Sequence, residues 1–387
     1  MDSTNPNVRR SYRHVRKKYR KWLLESKKLR MILLLFFLLA FSTCAFFIVS
    51  ENQWMYGRKQ EEPHAGSSAT FSLREEVDVG PVVSLAKEVV AKNPESPFIL
   101  VMEVSIGMVD MVKSWLCNTR DMARVHSNTL LIVDTKSFEV LKDFDTEATI
   151  VESSLPDYLQ GSWKYRSLGY WLTTQHRVLV VGKILSAGIN LMLVEPDATW
   201  LKNIYNQDDL VADMRDDFVG MSDTEVSGEI GYLGFGFLRI KASPVVDRIW
   251  EHVKMKVEQE LLPYKHDKNL TQVIQAHGEQ LYFNEYWKRL HAAGEKIKVR
   301  KLSHCRYPNG RWYDGGIMDD DADYRAACPA KDLVVIQNNW IVGNEKKIER
   351  LKRWDHWFVD QETNLCLPDQ LKKARRTCLN SKPLAPP

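Results

Sequence analysis

The chain has 387 residues, 44% of them apolar and 27% charged, with a formal net charge of +4. These fractions exclude a disordered or collagen-like chain, and six cysteines are too few for a disulfide-dense small scaffold. Residues 1–30 hold 11 Lys and Arg against 2 acids, and the remaining 357 residues hold 43 against 48. The basicity therefore belongs to the N-terminus alone, which disfavours a nucleic-acid-binding body.

Residues 31–50 (MILLLFFLLAFSTCAFFIVS) carry no charge, and 13 of the 20 are Leu, Ile, Phe or Val. As a helix rising about 1.5 Å per residue they span roughly 30 Å, the hydrocarbon thickness of a bilayer. Basic residues crowd only the N-terminal side, from Arg9 to Arg30. The positive-inside rule then predicts a cytosolic tail over 1–30 and a chain that lies across the membrane from Glu51 onward. A cleaved signal peptide is the alternative, but the apolar run exceeds the usual apolar region and SENQWMYG offers no small-x-small cleavage site. The expectation is a single-pass type II anchor, and its short Phe-rich span suits the thinner early-secretory membranes. The clusters around Arg9 and around Lys17 to Lys21 read as orientation charges, with coat proteins or acidic lipid as the alternative partners.

Residues 51–95 read as a stem with one short helix near 82–91, and residues 361–387 as a tail, disordered after Lys373. The body between them, 96–360, alternates strands and helices. Apolar runs predict buried strands at 98–104, 129–133, 148–151 and 190–194. Helical spacing marks 109–119 and 165–186, the second stopped by Gly188 in the position of a left-handed cap. Ser243-Pro244 opens another helix, with Val246, Trp250, Val253 and Val257 on one stripe. This alternation predicts an α/β fold, a mainly parallel sheet with flanking helices, whose ligands bind beyond the carboxyl ends of the strands. Asp134 and Asp197 both fall there.

The segment Leu191-Met-Leu-Val-Glu195-Pro196-Asp197-Ala-Thr-Trp200-Leu201 carries the chemistry. Two carboxylates two apart follow a buried strand, and Pro196 forces the strand to end because it cannot donate to a ladder. Paired oxygens suit a hard divalent cation that clamps a diphosphate, with a surface acidic turn as the bland alternative. Trp200 reads as packing rather than as a stacking platform. Asp319-Asp320-Asp321 reads as a solvated acidic loop, and the ten histidines show no zinc-ligand spacing.

The run Gly188-Ile-Asn-Leu-Met-Leu-Val-Glu-Pro-Asp-Ala-Thr-Trp-Leu resembles the DxD region of nucleotide-diphospho-sugar transferases of the GT77-like family. Further segments resemble that family in the same order: Ser114-Trp-Leu-Cys-Asn, Leu130-Leu-Ile-Val-Asp134, Val219-Gly-Met-Ser-Asp223, Gly234-Phe-Gly236, Gly278-Glu279-Gln280-Leu-Tyr-Phe-Asn284, Tyr307-Pro-Asn-Gly310 and Gln337-Asn-Asn339-Trp340-Ile-Val-Gly343-Asn-Glu-Lys346. Together they cover roughly 97–357. The resemblance implies a GT-A-like, Rossmann-type fold and a type II Golgi enzyme. It further implies retaining transfer of a sugar from a nucleotide-sugar donor, in that family most often a UDP-sugar, to a glycan or glycoprotein acceptor, with Mn²⁺ or Mg²⁺.

The resemblance places Asp197, Glu195 and Gln337 at the metal. It places Asp134, Glu195, Asp197, Gly236 and Asn284 around the donor, and Glu279, Gln280 and Lys346 at the reacting sugar and leaving phosphate. Three positions depart from the family pattern: Glu195 for Asp, Gly234 for Asn and Gln337 for His. They leave open a catalytically silent member that binds a glycan or protein on the same fold. Among the cysteines beyond the span, the local pairings are Cys305 with Cys328 and Cys366 with Cys378, which leaves Cys117 free or paired between chains. Asn269-Leu-Thr271 is a glycosylation sequon.

Overall fold

The computed structural model describes residues 78–153, 155–223, 231–314, 328 and 330–380. The predicted membrane span, the basic tail, most of the stem and the Asp319–Asp321 run lie outside these residues. Among the described residues, no helix is long and apolar enough to cross a membrane.

Helix α1 (Gly80–Lys92) is the one expected in the stem, but Val82, Ala86 and Val89 bury completely against the sheet core. The packed body therefore begins ahead of residue 96. Strand β1 (Ile99–Val104) leads through α2 (Val109–Thr119) to β2 (Thr129–Val133), and α3 (Thr135–Leu141) leads to β3 (Thr149–Glu152). The long helix α4 (Leu168–Ser186) starts on a Ser167 cap and ends at Gly188, whose φ of +78° is the left-handed stop the sequence predicts. Strand β4 (Leu191–Val194) follows, then the two-residue β5 (Thr199–Trp200), the one-turn α5 (Asp208–Val211), β6 (Phe218–Ser222) and β7 (Leu233–Ile240). Ser243 Oγ accepts the Val246 N–H at 3.4 Å to cap α6 (Pro244–Leu261), and the Val246, Trp250, Val253, Val257 stripe is buried. Helix α7 (Gly278–Ala292), β8 (Val299–Lys301), β9 (Val335–Ile336), α8 (Asn344–Arg353) and α9 (Gln370–Asn380) complete the order.

Seven strands form one sheet in the order β3-β2-β1-β4-β7-β6-β8. All neighbours are parallel except β7, which runs against both β4 and β6. Alternate residues feed two cores: Ile99, Val101, Leu191 and Leu193 face α1, α4, α6 and α7, whereas Leu100, Met102, Met192 and Val194 face α2. Burial on both faces explains why these strands read as unbroken apolar runs. The chain moves outward from β1 to β3 and then returns to place β4 on the other side of β1. That reversal opens a crevice beyond the carboxyl ends of β1 and β4.

Two readings of the C-terminal region are corrected. The tail after Lys373 is not disordered up to residue 380: α9 seats Ala374 and Cys378 in a core cluster with Trp312, Trp354 and Phe358. Cys305 pairs with Cys328 as expected, but Cys366 pairs with Cys117, 249 residues away, and Cys378 is buried and in no disulfide. Sequence proximity misleads here because α9 turns Cys378 inward, while the chain before it lays Cys366 against α2. Trp200 is fully buried and meets Trp115 edge-on at 5.3 Å, which is packing. The Asn269 sequon lies in an exposed turn.

Candidate functional site: two carboxylates beyond strand β4

A cleft of about 1420 Å³ opens beyond β1 and β4. It exceeds the range of roughly 300–1,000 Å³ usual for small-molecule sites, so it has room for more than one ligand. The Glu195 N–H still donates to Gly236 O at 3.1 Å, extending β4 by one residue before Pro196 breaks the ladder. The chain then enters β5, where Thr199 pairs with Ile336 of β9. This pairing delivers Gln337 to the acids. Gln337 Nε2 donates to Asp197 Oδ1 at 3.0 Å and to Glu195 Oε2 at 3.3 Å. Lys347, in the first turns of α8, holds Nζ 2.6 Å from Asp197 Oδ2, and Asp197 is only 2% exposed. From α4, Arg177 bonds Glu279 and reaches Glu195 Oε1 at 3.5 Å. Gly236 lies against this cluster: a Cβ there would stand 2.5 Å from Gln337 Nε2 and 2.8 Å from Glu195 Oε2.

The charges shape one another. Burial pushes the Glu195 carboxyl above its ordinary value, and neighbouring Asp197 adds to the rise against the pull of Arg177 and Lys347. Burial alone would lower the Lys347 ammonium, but Asp197 and Glu195 outweigh it and hold the group above its usual range. Arg177 likewise stays charged: Glu279 and Glu195 overcome the desolvation that opposes it. Asp223, also lining the cleft, is raised by burial and only partly restored by Gln280.

The structure brings together Glu195, Asp197, Gly236, Glu279, Gln280, Gln337 and Lys346 along the cleft. It employs two predicted donor residues elsewhere. Asp134 is a structural cap: its carboxylate accepts the Ser137 N–H at 2.7 Å, starting α3, and the Ile106 N–H at 3.1 Å. Asn284 is fully buried and clamps β7, accepting the Leu233 N–H at 2.8 Å and donating to Leu233 O at 3.0 Å. Gln280 lines the cleft, yet its amide accepts from Phe235 N at 2.9 Å and donates to Asp223 Oδ2 at 2.7 Å. The ion pair to Asp197 comes from Lys347, the neighbour of the Lys346 named from sequence.

Arg177 and Lys347 are the residues that the sequence reading missed. Lys347 was visible as the lysine four positions after Gly343, where a count of G-x-x-x-K ends. Arg177 was visible as a charge in an apolar helix between Thr174 and Val178, where a buried charge requires a partner.

The donor set does not fit a divalent metal. Asp197 Oδ1 accepts from Gln337 and Oδ2 lies against the Lys347 ammonium as an ion pair, and Gln337 presents its N–H, not a lone pair, to the two acids. Among the described residues, no three His, Cys, Asp or Glu side chains are placed to hold a metal ion. The expected role of Asp197, Glu195 and Gln337 as Mn²⁺ or Mg²⁺ ligands thus meets the Lys347 ammonium at Asp197, Arg177 at Glu195 and the Gln337 N–H between the two acids.

The sequence profile of a family described as nucleotide-diphospho-sugar transferase matches residues 124–351. UDP-D-xylose:L-fucose alpha-1,3-D-xylosyltransferase 3 of Arabidopsis thaliana is 24% identical over 290 residues, covering 72% of this chain and 70% of that protein. Beta-arabinofuranosyltransferase RAY1 of the same plant is 24% identical over 269 residues, 67% of this chain and 47% of that one. Mouse xyloside xylosyltransferase 1 in its apo form aligns with a TM-score of 0.39 and 14% identity, over 63% of this chain and 98% of that structure.

Proposed function

Because the chain belongs to the nucleotide-diphospho-sugar transferase family, and so to the glycosyltransferases, we propose that its cleft moves a sugar from a UDP-sugar to a glycan or glycoprotein hydroxyl. The observation that carries this reading is the Glu195, Asp197, Lys347 and Arg177 cluster at the switch point of a mostly parallel sheet, the arrangement expected of a GT-A-like site. In the reaction the bond from sugar C1 to the phosphate oxygen breaks, and its electron pair stays on the leaving diphosphate. The acceptor oxygen bonds C1, and its proton passes to the leaving phosphate or to water. Lys347 is placed to stabilise the charge that develops on the diphosphate. Glu279, fixed by Arg177, is placed to accept from sugar hydroxyls. Retention of configuration follows the family resemblance, and the named relatives, which transfer xylose and arabinofuranose, support a pentose as the first donor to try.

The enzyme is assigned to the Golgi as a single-pass type II protein, with residues 1–30 in the cytosol and the cleft in the lumen. Two disulfides support an oxidising compartment for the body, and the exposed Asn269 supports glycosylation there. The test is transfer by the full-length, detergent-purified chain, with UDP-xylose and other UDP-sugars against fucosylated and xylosylated acceptors. Transfer that is lost in Asp197→Asn supports the reading; absence of any UDP-sugar binding overturns it. Binding without turnover would identify the silent alternative, which the engagement of both ends of the Gln280 amide by the protein favours.

A further inference from the structure

We propose that Lys347 is a built-in cation standing where a divalent metal would be expected, so that the cleft binds a nucleoside diphosphate without metal. This rests on the donor-site reading above. Of the six carboxylates among the residues that line the cleft, all but Glu345 accept from a protein donor. Glu103 faces His176 Nδ1 at 2.5 Å, Glu195 and Glu279 share Arg177, Asp197 takes Lys347 and Gln337, and Asp223 takes Gln280 and Asn339. A divalent ion seated on Glu195 and Asp197 would displace the ammonium and the amide N–H together. Mg²⁺ in particular demands near-octahedral oxygen at roughly 2.0–2.1 Å. Asp197, at 2% exposure, cannot exchange its partners for water without opening the cluster. Arg177 also draws Glu195 Oε1 to 3.5 Å, away from the side that faces Asp197 through Gln337.

The ammonium has the capacity for the task. It carries three N–H donors. Its nitrogen lies 2.6 Å from Asp197 Oδ2 as an ion pair, and that buried oxygen takes no aligned hydrogen bond, so the N–H donors remain for phosphate oxygens. Asp197 then orients the lysine, and the lysine meets the anion. The amide of Gln337 ties Asp197 to Glu195, and its own Oε1 is buried without a partner, an acceptor left over for a ligand donor.

Calorimetry on the full-length chain in detergent, with UDP as the probe, tests this in EDTA and in MnCl₂. Wild-type affinity is expected to agree within about threefold between the two conditions, a difference well under the 1.4 kcal/mol of a tenfold change. Affinity more than about tenfold tighter with Mn²⁺, or loss of the free Mn²⁺ paramagnetic signal on mixing with protein and UDP, overturns the inference and leaves the nucleotide reading standing. Absence of UDP binding in both conditions overturns the nucleotide reading as well. Lys347→Met is expected to weaken UDP binding in EDTA about 10- to 100-fold, as befits a charged hydrogen bond, with Lys347→Arg retaining most of it. Gln337→His in the Lys347→Met background is expected to restore binding only with Mn²⁺. The wild-type comparison decides the matter even where a variant fails to fold.

Discussion

Gly236 has no space for a methyl group, and what fills that space is functional rather than structural. A Cβ there collides with the ends of Gln337 and Glu195, both of which can swing, and not with backbone. Gly236→Ala is therefore expected to lower UDP affinity by about tenfold or more while the thermal midpoint moves by only a few degrees, as calorimetry and a melting scan on the same sample would show. An unchanged affinity would separate Gly236 from the binding cluster. At this scale the sequence located the acids, because a Pro between two carboxylates after an apolar strand permits few structures. It placed the lysine one residue off. Adjacent residues on a helix differ by about 100° in direction, so a slip of one residue is a change of helix face, and it is the Lys347 ammonium that meets Asp197.

Among the elements, α3 and α8 illustrate how the same residue type serves fold or chemistry. Asp134 looked like a ligand residue because it ends a buried strand, but the next helix begins immediately and its free N–H groups claim the carboxylate. Asp134→Ala is expected to cost about 1–2 kcal/mol for the lost cap, measured by urea unfolding, with UDP affinity of the folded protein unchanged. A large loss of affinity without loss of stability would return Asp134 to the donor site. Asp197 lies three residues past β4, and with Pro196 before it and β5 after it no helix N-terminus claims its carboxylate, which remains for Lys347. Helix α9 is hard to read for a related reason: four of the eleven residues of QLKKARRTCLN are Lys or Arg, and its short buried stripe includes Ala374 and Cys378. The weak stripe became legible only against the Trp312 and Trp354 cluster.

The whole body is tied by the Cys117–Cys366 bond, which closes a loop of 249 residues. Closing so long a loop restricts the unfolded chain strongly, so Cys366→Ser is expected to destabilise by about 2–5 kcal/mol, read as a lower denaturation midpoint. A midpoint unchanged by Cys366→Ser, or equal in wild type with and without reductant, would remove the bond from the account. Acid should act on the same region. His356 is buried, its Nδ1 2.8 Å from the Tyr313 hydroxyl and its Nε2 3.3 Å from Cys378 Sγ, and burial pushes its pKa down to about 3. The unfolded histidine titrates near 6.5, so the unfolded state gains the proton first. Stability is therefore complete above about pH 6.5 and falls as pH drops toward 3, by about 2 kcal/mol at pH 5 from this residue. Melting curves at pH 7 and pH 5 should show the loss, and His356→Asn should reduce it.

The apolar runs and their spacing were enough to determine an α/β body with a mostly parallel sheet, and the ordered short motifs were enough to assign its family, because both are local properties written into consecutive residues. The charge asymmetry of the first 50 residues likewise predicts an anchor without reference to any fold. Tertiary structure alone decided which donors meet the two carboxylates. Arg177, Lys347 and Gln337 come from three elements far apart in sequence, and no spacing rule records that α4, α8 and β9 converge on the end of β4. It also decided that Cys117 reaches Cys366, because a bond across 249 residues depends on how the last elements pack against α2 and on nothing local.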